Sequence, residues 1–518
     1  MSNQALQPKA GQGEQIRQLK FCVNNEWRVS KTGKYMPIYN PSKGVIIAET
    51  PCCTVDEVNE AVAAAKAAFP DWSATPVTVR TQVLFRFKAL VEEHLEDVTT
   101  LLATEMGKCL GEARGDVLKA VEGTEIACSA PVMMQGDALM QVSLGHDTVM
   151  YREPLGVFAG IAPYNFPAMI PFGWMIPMCI ATGNTMVLKA ASLVPQTAMR
   201  LLELLIEAGL PKGVVNLVTC SRTEANLLMA HPDIRGISYV GSTSVGLHIY
   251  STAAANGKRV QALTEAKNHA LVLKDAPLER TARGIINSSF GCAGQRCMAL
   301  PVIVVEDSVA DELVSCLVTF AKELVIGPAC EEQSQLGPLV SEGQKKFVTD
   351  CIAKGVEEGA TLVLDGRDVV VKGSEGGFYV GPTILDHVKP GMSCGDDEIF
   401  GPVISIKRVK NFEEGIELMN ANRFANGSSI FTQNGYYARE FARRTDGGMV
   451  GVNVGIPVPI GYFPFAGHKQ SFFGDLHCLG RDGAAFFTEA KCVTTRWFDE
   501  EDLKQTKIST WEGTLTKE

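Results

Sequence analysis

The chain has no dense basic stripe: 48 lysines and arginines are outnumbered by 58 aspartates and glutamates over 518 residues, for a net charge of -10. That balance excludes the electrostatic footprint of a nucleic-acid binder and leaves acidity as a source of solubility. It also lacks an unbroken apolar run. The most hydrophobic region, residues 161–187, is interrupted by Pro163, Asn165, Pro167, Pro171, Pro177 and Asn184, so no membrane span is expected there. The first 20 residues, rich in Gln and Gly, carry no apolar core of a secretion leader, which points to a soluble protein of the cytoplasm. Paired metal-ligand spacing is missing too. Cys52-Cys53, and Cys292 with Cys297, do not have the arrangement of a zinc site, so no metal is expected. An odd total of 15 cysteines without a leader argues for reduced thiols rather than a disulfide framework.

What is present is ordinary globular material, 46% hydrophobic and 20% charged, enough for two or three domains with sizeable cores. Thr54-Val-Asp-Glu57 is a capping-box pattern that predicts a helix over residues 58–69, and helical patterns recur at 77–94 and 111–128. From Gly156 the texture changes. Short β-rich runs at 157–161, 185–189, 214–218, 237–240 and 259–263 alternate with helical segments such as 196–208 and 244–255, the rhythm of a parallel sheet with crossover helices. A second alternating block begins near Ala270, with apolar runs at Leu271, Val302, Ile404 and Ser429 and helical patterns at 308–325 and 344–358. Residues 365–377 read as a surface loop or hairpin, and 491–498 as an edge strand for a neighbour.

Three segments carry chemistry. Gly294-Gln-Arg296-Cys297-Met298 sets a cysteine beside a cation. A free thiol with a pKa of roughly 8.5 is only ~3% thiolate at neutral pH, and a guanidinium favours the anion. Arg296 is equally suited to an acidic substrate, while the bland alternative is a small buried hydrophobe. Gly241-Ser-Thr-Ser-Val-Gly246 lies between a strand and a helix, where backbone amides and Ser242 can meet a phosphate; it is neither G-x-G-x-x-G nor a P-loop, and by itself it is equally a plain turn. Pro163-Tyr-Asn165-Phe-Pro167 follows a predicted strand end and offers an amide as a neutral oxyanion donor, or merely a turn former.

In order along the chain stand Pro163-Tyr-Asn-Phe-Pro167, Gly183-Asn-Thr-Met-Val-Leu-Lys189, Gly241-Ser-Thr-Ser-Val-Gly246, Leu263-Thr-Glu-Ala-Lys-Asn-His-Ala270, Gly294-Gln-Arg-Cys-Met-Ala299 and Glu398-Ile-Phe-Gly-Pro-Val403. This series resembles the aldehyde dehydrogenase superfamily over residues 21–498. The 266–270 and 294–299 segments, together with Val452-Asn-Val-Gly-Ile-Pro-Val-Pro459, are most similar to the CoA-acylating methylmalonate-semialdehyde and malonate-semialdehyde dehydrogenases.

The resemblance implies an α/β fold: a Rossmann-like dinucleotide-binding domain (1–137 and 158–267), an α/β catalytic domain (268–466), and a β bridging element (138–157 and 484–500) that joins subunits of a homo-oligomer, dimer or tetramer. It implies that Cys297 attacks the aldehyde, that the Asn165 amide and the Cys297 N–H hold the oxyanion, and that hydride leaves for nicotinamide. Ala162, Tyr164, Lys189, Ser192, Ser242, Thr264, Glu398 and Phe400 fall at positions the family uses around the dinucleotide.

Hydrolytic relatives carry a glutamate four residues before the lysine that aligns with Lys267, and here that position is Leu263. Leucine takes no proton, so the implied acceptor of the thioester is CoA, with carbon dioxide lost from malonate-type substrates to give acetyl-CoA or propionyl-CoA. Three residues depart from the subfamily. Glu265 stands for glycine and offers an alternative general base. Lys119 replaces one of two arginines around the substrate carboxylate, Arg296 being the other, and exchanges a bidentate fork for a point charge. Ser192 replaces a glutamate that binds the adenosine ribose, so NAD is expected with NADP as the alternative. The competing activity is a hydrolytic NAD(P)-dependent dehydrogenase for another carboxylated or sulfonated aldehyde, and a competitor of another class is a dinucleotide-binding protein without catalysis.

Overall fold

Two largely parallel sheets, the first continued by antiparallel strands at both edges and the second at one, organise the chain in a computed structural model that describes residues 16–143 and 145–504. The first sheet has eight strands in the order Glu26–Arg28, Phe21–Val23, Val215–Val218, Thr185–Lys189, Val157–Ile161, Ile234–Val240, Arg259–Leu263 and Phe472–Gly474. Its five central strands are parallel. They are buried almost throughout, which is why they read as apolar runs rather than as alternating ones. The strand order reverses between Val157–Ile161 and Ile234–Val240, and in open α/β sheets ligands gather at such a switch point, beyond the carboxyl ends of the strands.

The expected helix begins at the expected cap. Thr54 Oγ1 accepts the Glu57 N–H and Glu57 Oε2 accepts the Thr54 N–H at 2.8 Å, which opens the helix Val55–Ala74. Val58, Ala61, Val62 and Ala65, at helical spacing, face the first sheet. The helices Val77–Glu93 and Leu110–Ala127 lie within a residue of the patterns that predict them. One region differs in kind. The proline-interrupted stretch folds as a π-helical turn, Ile170–Met175, running into the helix Ile176–Ala181, with a proline in the first turn of each and every residue buried. Pro171 is tolerated because an N–H in the first turn has no intrahelical acceptor to lose. Among the described residues no helix is long and apolar enough to cross a membrane.

The second sheet has seven strands, in the order Thr361–Leu364, Thr383–Asp386, Val403–Val409, Val302–Glu306, His269–Val272, Gly427–Phe431 and Met449–Val452. Its first pair is an antiparallel hairpin whose connection contains residues 365–377. A third, three-stranded antiparallel sheet pairs Thr488–Arg496 with His146–Pro154 and the latter with Ala138–Ser143, leaving Leu139 and Met140 61% and 77% exposed. All 15 cysteines are free.

Candidate active site

At the switch point the chain leaves Val157–Ile161 through Pro163, Tyr164 and Asn165, and leaves Ile234–Val240 through Gly241 and Ser242. These five residues line a cavity of about 330 Å³ together with Thr264, Glu265, Cys297, Gln344, Phe347, Glu398 and Phe400. Residues far apart in sequence therefore converge: both loops of the first sheet, the cysteine segment, and the loop carrying Glu398.

Local backbone explains the convergence. Cys292, Ala293 and Gly294 are three consecutive residues of left-handed conformation, with φ of 52°, 52° and 72°. The first two are non-glycine residues in a costly region, of order 1–2 kcal/mol each. A Cβ on Gly294 would sit 2.0 Å from the Gly401 carbonyl oxygen, so only glycine lets the cysteine segment approach the Glu398–Phe400 loop this closely. Gly246 does the same for the other wall: a Cβ there would meet the Thr264 methyl at 2.3 Å, and its absence lets the helix Thr243–Ala255 pack on the end of the Arg259–Leu263 strand.

Amides then fix the nucleophile segment. The Cys297 carbonyl accepts from Asn268 Nδ2 at 2.8 Å and from Asn426 Nδ2 at 3.0 Å, and Asn268 also donates to the Ala299 carbonyl at 2.7 Å. Asn165 Nδ2 donates to the carbonyl of the fully buried Gln295 at 3.0 Å, which ties the oxyanion candidate to the loop that carries the sulfur. An amide has two N–H donors, so one remains for a ligand. Sequence reasoning did not single out Gln295, Asn426 or the role of Asn268; their amide type is a weak signal until the fold shows which carbonyls they meet.

The cation beside the cysteine is itself engaged by two neighbours. Arg296 Nη2 lies 2.7 Å from Glu112 Oε1 and its Nε donates to Cys292 Sγ at 3.2 Å. Burial pushes the Cys297 thiol up to about 12, the neighbouring Glu398 adds to the rise, and Lys108 and Arg296 oppose it only in part. Alkylation of Cys297 in the free protein is therefore expected to accelerate about tenfold per pH unit between roughly pH 7 and 9, because the thiolate fraction is far from saturation. Rates measured with iodoacetamide across that range test this, and a plateau below about pH 9 contradicts it.

Glu398 Oε1 accepts the Ala266 N–H at 2.9 Å, and its carboxyl is raised to about 8, mainly by burial and further by the charge of Glu265. Phe400, with φ of 55°, meets Tyr164 edge-on at 6.0 Å between ring centroids. Thr264 Oγ1 donates to the Gln470 carbonyl at 2.6 Å. Ala162, Lys189 and Ser192 lie outside this cavity. The Ala162 N–H donates to the Lys189 carbonyl at 3.1 Å, at the end of the Thr185–Lys189 strand. The Lys189 ammonium is depressed by burial, and Ser192 Oγ is buried with no hydrogen-bond partner. An orphaned hydroxyl close in sequence to a desolvated ammonium is what a polar ligand such as a ribose would satisfy. Lys119 is half exposed and pairs with Glu122 three residues on. Leu263 is buried in the core, whereas Glu265 lines the cavity.

Residues 27–493 match the model of the Aldehyde dehydrogenase family, and the chain belongs to that family and has its fold. Within it, a malonate-semialdehyde dehydrogenase of Geobacillus thermodenitrificans is 47% identical over 483 residues, 93% of this chain and 99% of the relative. A malonate-semialdehyde dehydrogenase of Oceanobacillus iheyensis is 45% identical over 484 residues, with the same shares covered. The crystal structure of a methylmalonate-semialdehyde dehydrogenase from Oceanimonas doudoroffii superposes with a TM-score of 0.92 at 39% identity, covering 94% of this chain and 99% of that one. A Sinorhizobium meliloti 1021 protein assigned the same activity, solved with NAD, gives 0.92 at 38% identity and the same coverage.

Proposed function

We propose that the chain catalyses the NAD-dependent, CoA-acylating oxidation of a short anionic aldehyde, malonate semialdehyde or methylmalonate semialdehyde, to acetyl-CoA or propionyl-CoA. The observation that carries this reading is the single cavity at the switch point shared by Cys297, Asn165, the Gly241-Ser242 turn and Glu398. The malonate-semialdehyde dehydrogenase activity of relatives at 45% and 47% identity supports the substrate class.

In this reading the Cys297 sulfur adds to the aldehyde carbon, and the second Asn165 N–H with the Cys297 backbone N–H hold the oxygen that becomes negative. Ala162, Tyr164, Lys189, Ser192, Ser242, Thr264, Glu398 and Phe400 hold the dinucleotide, with the orphaned Ser192 hydroxyl as the feature that supports a ribose near it. Bound there, the dinucleotide supplies a hydride acceptor. The bonds from Asn268 and Asn426 to the Cys297 carbonyl keep the sulfur aligned through the step. Cys297 then carries a thioester, a malonyl-type chain loses carbon dioxide and its α-carbon takes a proton from water, and the CoA sulfur takes the acyl group while its thiol proton returns to Cys297. NAD is preferred because a relative of 38% identity is solved with it; Ser192, lacking a carboxylate, keeps NADP as the alternative.

CoA is preferred to water because the hydrolytic base position holds the buried Leu263. Glu265 in the cavity wall favours the second reading, a hydrolytic dehydrogenase for another acidic aldehyde. Product analysis decides between them. Without CoA, turnover is expected to stall after one equivalent of reduced dinucleotide per site, and CoA to restore it with acyl-CoA as product; sustained free acid at a rate CoA does not change contradicts the acylating reading.

Arg296 and Lys119 are the proposed partners of the substrate carboxylate. Lys119→Ala and Arg296→Ala are expected to raise KM for acidic aldehydes by about tenfold or more, the scale of a lost charge-assisted hydrogen bond, with little change for neutral ones. Equal losses on both kinds of aldehyde contradict charge recognition. The proposal extends to a homo-oligomer, dimer or tetramer, of the cytoplasm, built from the three domains delimited above, with the exposed three-stranded sheet as the bridging element.

A further inference from the structure

Lys108 and Asp116 form an ion pair wholly out of solvent, Nζ 2.8 Å from Oδ2, with both side chains at 0% exposure. Replacing such a pair by apolar side chains is often neutral or stabilising, so stability alone gives weak grounds for its presence. What it touches is more informative. The ammonium lies 3.4 Å from the centroid of the Phe166 ring, the residue next to Asn165. Asp116 Oδ1 accepts the Met169 N–H at 2.8 Å. Together these contacts grip the chain just after the oxyanion donor, while the Asn165 amide itself reaches the cysteine loop through Gln295. Lys108 also opposes the burial that raises the thiols of Cys297 and Cys292. The other titratable groups around Cys297 are Glu398 and Glu265 in the cavity wall and Arg296, which is engaged by Glu112.

We propose that Lys108 is a positioning residue for formation of the acyl-enzyme: locked between Asp116 and the Phe166 ring, it fixes the Asn165 amide and contributes positive charge at the Cys297 sulfur. This deepens the reading of Cys297 as the nucleophile and rests on it. The step gains no new reactant, since the sulfur still bonds the aldehyde carbon and the oxyanion still falls to Asn165, and Lys108 takes part in no bond making or breaking.

The test compares Lys108→Met, Lys108→Arg and the double variant Lys108→Met with Asp116→Asn against wild type, each checked for folding by circular dichroism and thermal unfolding. Two readouts are taken: Cys297 alkylation without substrate at about pH 8, and kcat and KM for an acidic aldehyde. Lys108→Met and the double variant are both expected to lose about tenfold in alkylation rate and about 10- to 100-fold in kcat, with KM within about threefold, and Lys108→Arg to recover most of the loss. A double variant that alkylates and turns over like wild type means Lys108 only neutralised Asp116, and overturns the proposal. Unchanged rates in a folded Lys108→Met do the same. Should Lys108→Met fail to fold, the double variant decides by the same criteria, because it strands no buried charge and keeps an acceptor for the Met169 N–H. Cys297→Ala run alongside separates the two ideas: turnover that survives it contradicts the nucleophile assignment, whereas the Lys108 variants report on positioning.

Discussion

Cys297→Ala is expected to lower formation of reduced dinucleotide from an acidic aldehyde by about 10⁴-fold or more, the scale seen when a nucleophile that acts as one unit with its partners is removed. Among the described residues, Cys297 is the only thiol lining the cavity. Cys292, five residues earlier, is buried behind it with the Arg296 Nε on its sulfur, and burial raises its thiol as well. It cannot stand in. The substitution should leave the loop intact, since Asn268 and Asn426 bind the backbone carbonyl of residue 297 and not its side chain. Dinucleotide affinity measured by fluorescence titration should therefore stay within about threefold of wild type while the pre-steady-state burst disappears. A variant that still produces a burst means another group bonds the aldehyde. Loss of dinucleotide binding along with the burst means the substitution disturbed the fold and not the chemistry.

Asn165→Ala carries the second largest effect, a fall in kcat of about 10²- to 10³-fold, the loss measured when one oxyanion donor is deleted elsewhere. The same change removes the donor to the Gln295 carbonyl and leaves that buried oxygen unpaired, a stability cost of about 1–3 kcal/mol. The two consequences separate by probe. Iodoacetamide alkylation of Cys297 develops no carbonyl oxyanion, so its rate should change by no more than about threefold, whereas turnover should fall by orders of magnitude. Equal losses in alkylation and turnover would assign Asn165 to holding the loop rather than to holding the oxyanion.

The sheet architecture was readable because its signal is local. Strands 157–161, 185–189 and 259–263 appear at the residues where apolar, β-branched runs end at turn formers. The capping box at Thr54 is equally local. Cys297 and Asn165 stand out by residue type, and the switch point then brings them to one cavity. What escaped depends on partners distant in sequence. Arg296 looked like the activator of its neighbour, but its guanidinium is held by Glu112, 184 residues away, and burial of the thiol outweighs what positive charge remains. No local pattern singles out Lys108 and Asp116, which the fold pairs wholly out of solvent with the ammonium over the Phe166 ring. Pro171 and Pro177 looked like breaks in an apolar run, yet each stands in a first helical turn.

The central claim is that the oxidised substrate is carried as an acyl group on the sulfur of residue 297. Mass spectrometry of the peptide containing that residue, from a reaction with malonate semialdehyde and dinucleotide quenched before CoA is added, tests it most directly. An acyl adduct on Cys297 that appears with the burst and vanishes when CoA is supplied is the predicted result. Reduced dinucleotide accumulating while residue 297 stays unmodified at every time point would contradict it.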